Sequence, residues 1–117
     1  MHASILNITF DCADARAQAL FWAAVTGWTA EERDATPGHA EYAVGPPGES
    51  TPRLYFTTVP EPKTAKNRVH LDLIPPGGDP AAELARLLGL GRGRPHAGNQ
   101  PQPNTSGQHI TTGAKER

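Results

Sequence analysis

The sequence has one cysteine, Cys12, in 117 residues, which leaves no internal disulfide and no second thiol for a zinc–sulfur site. No stretch approaches the roughly 20 apolar residues that cross a bilayer, and the basic-then-apolar order of a secretory leader is missing from the amino terminus. A cytoplasmic protein with no membrane partner is the expectation. Nor does charge of one sign dominate: eleven Lys plus Arg stand against twelve Asp plus Glu, a net charge of -1. That excludes a global basic field for nucleic acid. A Gly-rich phosphate loop, a Gly-x-Ser-x-Gly elbow and a Cys-x-x-Cys pair are all absent, so nucleotide hydrolysis, serine hydrolysis and dithiol chemistry have nothing to rest on. Aromatics are few and end early, since Phe10, Phe21, Trp22, Trp28, Tyr42, Tyr55 and Phe56 are all of them.

What is present is enough for one small domain. Hydrophobic residues make up 37% of the chain, against 12 Gly and 12 Pro, which is low for a compact fold and predicts an unfolded part. The segment 91–117 holds one large aliphatic, Ile110, among Gly, Pro, Gln, Asn, Ser and Thr. It cannot bury enough apolar area to offset an ordering cost of about 1–2 kcal/mol per residue and is predicted to be a disordered tail. Four basic side chains against Glu116 give that tail +3 and leave -4 on residues 1–90. The basic charges are sparse, so solvated filler is favoured over a cationic interaction arm.

Within the first 90 residues strand and helix alternate. Residues 5–11 read as a strand with Leu6, Ile8 and Phe10 on a packed face and Asn7, Thr9 and Asp11 on a polar one. Asp14 is the N-cap of a helix with the stripe Ala17, Leu20, Phe21, Ala24 and Val25, ended by Gly27. Three short extended stretches at 28–32, 41–44 and 53–59, separated by Pro37-Gly38 and Pro46-Pro47-Gly48, form a meander. A further strand at 68–73 puts Arg68, His70 and Asp72 on one face. Asp79 then caps a second helix with Leu84, Leu87 and Leu88 as its stripe. The opening repeats after about 61 residues: Ile8-Thr9-Phe10-Asp11 before one helix, Val69-His70-Leu71-Asp72 before the next. The fold class is therefore α+β, a βαβββ module followed by a second whose meander is replaced by the tail.

The runs Ile8–Asp14, Ala19–Trp28 and especially Val59–Leu73 resemble the glyoxalase-like domain proteins of the vicinal oxygen chelate superfamily, which includes glyoxalase, extradiol dioxygenases and bleomycin resistance proteins. The resemblance covers residues 4–90. It implies paired modules curving around a cavity for a small-molecule ligand, lined by Asn7, Thr9, Tyr55, Arg68 and His70. It also implies a homodimer, which would cover the exposed edge at 68–73. Metal-binding members place ligands on the first strand of each module and the last strand of each meander. Those positions fall here on Asn7, on His70 and on Tyr55 or Thr57. Only His70 matches, so no metal or cofactor is assigned.

The single residues leave alternatives open. His70 is read as a cavity base or divalent-metal ligand, or as a histidine satisfied by Asp72 or Asp11. Asp11 and Asp72 are read as a proton-holding catalytic pair, or as strand-end and turn-capping residues. Lys63, Lys66 and Arg68 suggest an anionic ligand, or a solvated connector. Trp28 suits core packing better than a pocket wall, Cys12 is a packed thiol, and the spacing of His2, His39, His96 and His109 suggests no metal site. The function expected is small-molecule binding with no defined reaction. The alternatives are a metal-dependent lyase, isomerase or dioxygenase of glyoxalase type, and a truncated or frame-shifted inactive form.

Overall fold

The structure, a computed structural model, describes residues 1–91 and the backbone of two short strands at 102–103 and 110–113. The fold is α+β. Its elements run β1 (Asn7–Cys12), α1 (Ala15–Thr26), β2 (Thr29–Asp34), β3 (Glu41–Gly45), β4 (Arg53–Thr58), β5 (His70–Leu73), α2 (Pro80–Gly91), β6 (Gln102–Pro103) and β7 (Ile110–Gly113). Two compact units form, the first over Met1–Thr64 and the second from Ala65. Each copy of the strand–helix opening builds its own sheet.

The first unit is a complete βαβββ module with strand order β1-β4-β3-β2. β1 runs parallel to β4, and β2, β3 and β4 form the antiparallel meander. A parallel neighbour requires a crossover, and α1 supplies it. The Asp14 carboxylate accepts from the Ala17 N–H at 3.0 Å and starts the helix. Gly27, at φ 76, ends it in the left-handed conformation that a side chain resists, and its N–H donates to Ala23 O at 2.8 Å.

The buried stripe of α1 is Ala15, Gln18, Ala19 and Trp22, rotated from the one the sequence predicts. Ala17 and Ala24 are exposed, and Leu20 is 46% exposed. The alanines let the helix backbone approach the sheet, and Trp22, at 2% exposure, brings more apolar surface than Leu20 could. The Ala15 N–H also donates to Thr58 Oγ1 at 3.0 Å, tying the first turn of α1 to β4. On the sheet the buried partners are Cys12, Tyr42, Val44, Leu54 and Phe56, with Phe10 stacked on Phe56 at 5.3 Å. Cys12 is a packed thiol 3.6 Å from the Thr57 carbonyl oxygen. Of the face of β1 expected to pack, Leu6 and Ile8 are exposed, because β1 is the edge of its sheet and α1 lies over β3 and β4.

In the second unit Asp79 caps α2, its carboxylate accepting from the Ala82 N–H at 3.1 Å, and Pro80 takes the first helical position, where its missing donor costs nothing. Leu87 is buried, whereas Leu88 is exposed. Glu83 is buried as well and accepts both Arg86 Nε at 2.9 Å and Arg86 Nη2 at 2.8 Å. Beyond residue 91 two short strands are described. β7 pairs antiparallel with β5, and β6 pairs with β7, giving the sheet β5-β7-β6. Ile110-Thr111-Thr112 is a β-branched run, which suits a strand despite its polar surroundings. The rest of 92–117, including the parts of the predicted tail outside these strands, lies outside the described residues.

Candidate functional site

Side chains on a strand alternate between faces, so the face of the first sheet opposite α1 is fixed by register. It carries Asn7, Thr9 and Asp11 from β1, Arg53, Tyr55 and Thr57 from β4, and Glu41, Ala43 and Gly45 from β3. The polar face read from 5–11 is thus joined by polar residues of the meander. Asn7 is the register partner of Arg53, and Thr9 that of Tyr55.

Two features of this face are chemically unusual. Gly45 is buried, and a Cβ there would stand 2.6 Å from Arg53 Cγ and 3.0 Å from Arg53 Cδ. The Arg53 stem therefore lies directly across the bare backbone of β3. Next to it, Arg53 Nε and Asn7 Oδ1 are both buried without a hydrogen-bond partner. A buried donor or acceptor left unmade costs about 1–3 kcal/mol, and such groups are rare enough in folded proteins to call for an explanation.

Two residues along β4 from Arg53, the Tyr55 hydroxyl donates to Glu41 Oε1 at 2.6 Å. That hydrogen bond, then burial, pushes the phenol above its usual range and keeps it protonated. On the helix-facing side Tyr42 donates to Glu32 Oε1 at 3.1 Å, and it is raised mainly by burial.

Beyond Tyr55 lies a group that the sequence reading missed. Asp34, His39 and Glu41 each offer one ligand atom, and these atoms all lie within 4.8 Å of one another, an arrangement able to hold a metal ion. Spacing gives no warning, because the three are joined only by the turn at Pro37-Gly38 and by an irregular register at the end of β2. A signal was present in the alternation of His39 and Glu41, which places both on one face of an extended segment.

The remaining predicted residues distribute as follows. Asn7, Thr9, Asp11 and Tyr55 belong to the first unit. Arg68, His70 and Asp72 belong to the second, where all three are exposed; His70 and Asp72 share one face of β5, and Arg68 precedes it. The metal positions implied by the resemblance were Asn7, Tyr55 or Thr57, and His70. In the first unit they supply an amide, a hydroxyl already donating to Glu41, and a threonine. That donor set does not fit a transition-metal cation of the zinc type, which takes imidazole, carboxylate or thiolate.

Among the described residues no helix is long and apolar enough to cross a membrane. A search of the curated proteins finds no match to this sequence. A family model described as a glyoxalase-like domain matches residues 7–110, nearly the whole chain and the strand at β1 through the start of β7. With the βαβββ module described above, that match means the chain belongs to the glyoxalase-like domain family.

Proposed function

We propose that the protein binds a small anionic molecule on the polar face of the β1–β4 sheet, with no reaction assigned. The observation that carries the reading is the pair Arg53 Nε and Asn7 Oδ1, register partners that are both buried and unsatisfied. A guanidinium N–H calls for an acceptor and an amide oxygen calls for a donor. A hydroxycarboxylate offers both at the spacing of neighbouring oxygens, and charge-assisted bonds of the guanidinium type are about twice as strong as neutral ones. Thr9 and Tyr55 extend the same face and would contact the rest of the ligand. Asp11, at the far end of β1, sets a negative limit that favours binding at the Asn7 end.

The experiment is a thermal-shift screen of small hydroxycarboxylates and inorganic phosphate against the full chain and Arg53→Met. A compound held at 100 times its Kd stabilises the native protein by about 2.7 kcal/mol. The shift is expected in the native chain and lost in Arg53→Met, which keeps the stem over Gly45 and removes the charge. No shift with any compound, or an equal shift in Arg53→Met, refutes the reading.

A homodimer is the expected assembly. Its support is the sheet edge at β1, where Ile5 is 65% and Leu6 59% exposed. Size-exclusion chromatography that returns only monomer at high concentration counts against it. A cytoplasmic location remains the expectation from sequence.

A further inference from the structure

We propose that Asp34, His39 and Glu41 form a site for a divalent transition-metal cation of the zinc type at the turn end of the β2–β3 hairpin. The site is separate from the Arg53–Asn7 pair and does not depend on ligand binding there.

The hairpin is built in a way that gathers these three residues. From Thr29 to Glu32 the two strands pair regularly, ending with Glu32 opposite Tyr42. The register then shifts, so that Asp34, and not Arg33, becomes the partner of Glu41. An extra residue of this kind re-aims the side chain that follows it. Here it brings Asp34 to the face that carries Glu41. The chain turns at Pro37-Gly38, with the His39 N–H donating to the Thr36 carbonyl at 2.9 Å, and returns His39 two residues before Glu41, on the same side of the strand.

The donor atoms are positioned by groups that leave them available. Tyr55 holds Glu41 Oε1, which leaves Oε2 facing His39 Nε2 at 3.9 Å. Donors about 2.0–2.2 Å from one metal stand about 3.3–3.6 Å apart in tetrahedral geometry. The 3.9 Å separation is wider than that by a few tenths of an ångström and is too long for a hydrogen bond. Thr36 donates its backbone N–H to Asp34 Oδ1 at 2.8 Å and so orients that carboxylate. His39 is 61% exposed and free to close the last fraction of an ångström.

One imidazole and two carboxylates select zinc, cobalt or nickel over magnesium or calcium, which prefer oxygen alone. Three protein ligands also leave at least one position for water or an exogenous donor. Because Glu41 is anchored by Tyr55, the site abuts the polar face of the sheet.

The test is zinc titration of the full chain after chelator treatment, read by calorimetry and by metal content after dialysis, with cobalt absorption as the spectroscopic signature. The expected result is one zinc per chain. His39→Ala and Asp34→Asn, both surface changes whose melting without metal should match the parent, are expected to weaken binding at least about 100-fold. Tyr55→Phe, which removes only the anchor on Glu41, should weaken it about tenfold, in the range found for outer-shell partners. His2→Ala, an exposed histidine elsewhere, should change nothing. Stoichiometric zinc retained by both His39→Ala and Asp34→Asn, zinc lost on His2→Ala, or no stoichiometric uptake by the parent chain would overturn the proposal.

Discussion

Replacing Gly45 by alanine puts a methyl carbon where the Arg53 side chain now lies. The added Cβ would meet Arg53 Cγ at 2.6 Å, Cδ at 3.0 Å and Cβ at 3.6 Å, whereas carbon atoms pack comfortably at about 3.5–4.0 Å. The nearest two contacts are too short, and Cγ is close to the backbone, so the Arg53 stem has to swing to a new rotamer. Overpacking of this kind costs about 1–3 kcal/mol. The alanine recovers about 0.4–1 kcal/mol by narrowing the unfolded ensemble, since Gly45 sits in ordinary strand conformation. A net loss of about 1–2 kcal/mol lowers the melting temperature by roughly 4–8 °C or more for a chain of this size. The assay is a double-mutant cycle by chemical denaturation with Gly45→Ala, Arg53→Ala and the pair. Removing the Arg53 stem should abolish most of the alanine penalty, leaving a coupling of about 1 kcal/mol, because contacting residues fail additivity. Additivity within about 0.3 kcal/mol would show that Arg53 does not lie across Gly45, and the buried, unsatisfied Arg53 Nε would lose its structural basis.

Three further outcomes follow from the packing. Phe56→Ala, at a side chain 1% exposed and stacked on Phe10, should cost about 3–5 kcal/mol by denaturant titration, and a loss under about 1 kcal/mol would contradict its place in the core. Asp14→Ala removes the α1 cap and should cost about 1 kcal/mol, which Asp14→Ser should largely restore. Glu83→Gln in α2 should cost about 1 kcal/mol at neutral pH, the Arg86 end being 43% exposed and screened. The hydrogen bonds from Arg86 hold the Glu83 carboxyl below its ordinary 4.5. Its stabilisation is therefore complete above about 4.5 and lost as pH falls through the lowered value, so parent and Glu83→Gln should converge in acid. A stability gap that stays constant with pH would rule out the pair as its source.

Much of the fold was legible because it rests on local signals. Asp14 and Gly27 bound α1 since a carboxylate can take an orphan N–H and glycine can adopt positive φ wherever they stand. Asp79 does the same for α2. The meander follows from β-prone runs between Pro-Gly turns, and the polar alternation of Asn7, Thr9 and Asp11 was correct as written. Where sequence reading fell short, the missing information was about neighbours. The stripe of α1 rotated to Ala15, Ala19 and Trp22 because close approach to β3 and β4 favours small residues beside one large one, which helical periodicity does not weigh. The pairing of β7 with β5 was hidden by a composition that gives a three-residue β-branched run little weight.

By itself, the amino-acid order determined the α+β class, the βαβββ opening, the helix limits and the family, since caps, turns and alternation act over a few residues. Tertiary structure alone decided which polar groups meet. Arg53 is the register partner of Asn7 across a parallel ladder, 46 residues away in the chain, and its stem lies over a glycine whose missing side chain makes the room. Asp34 joins His39 and Glu41 through a one-residue register shift. Both juxtapositions depend on hydrogen-bond register between strands, a property of the pair that neither strand carries alone.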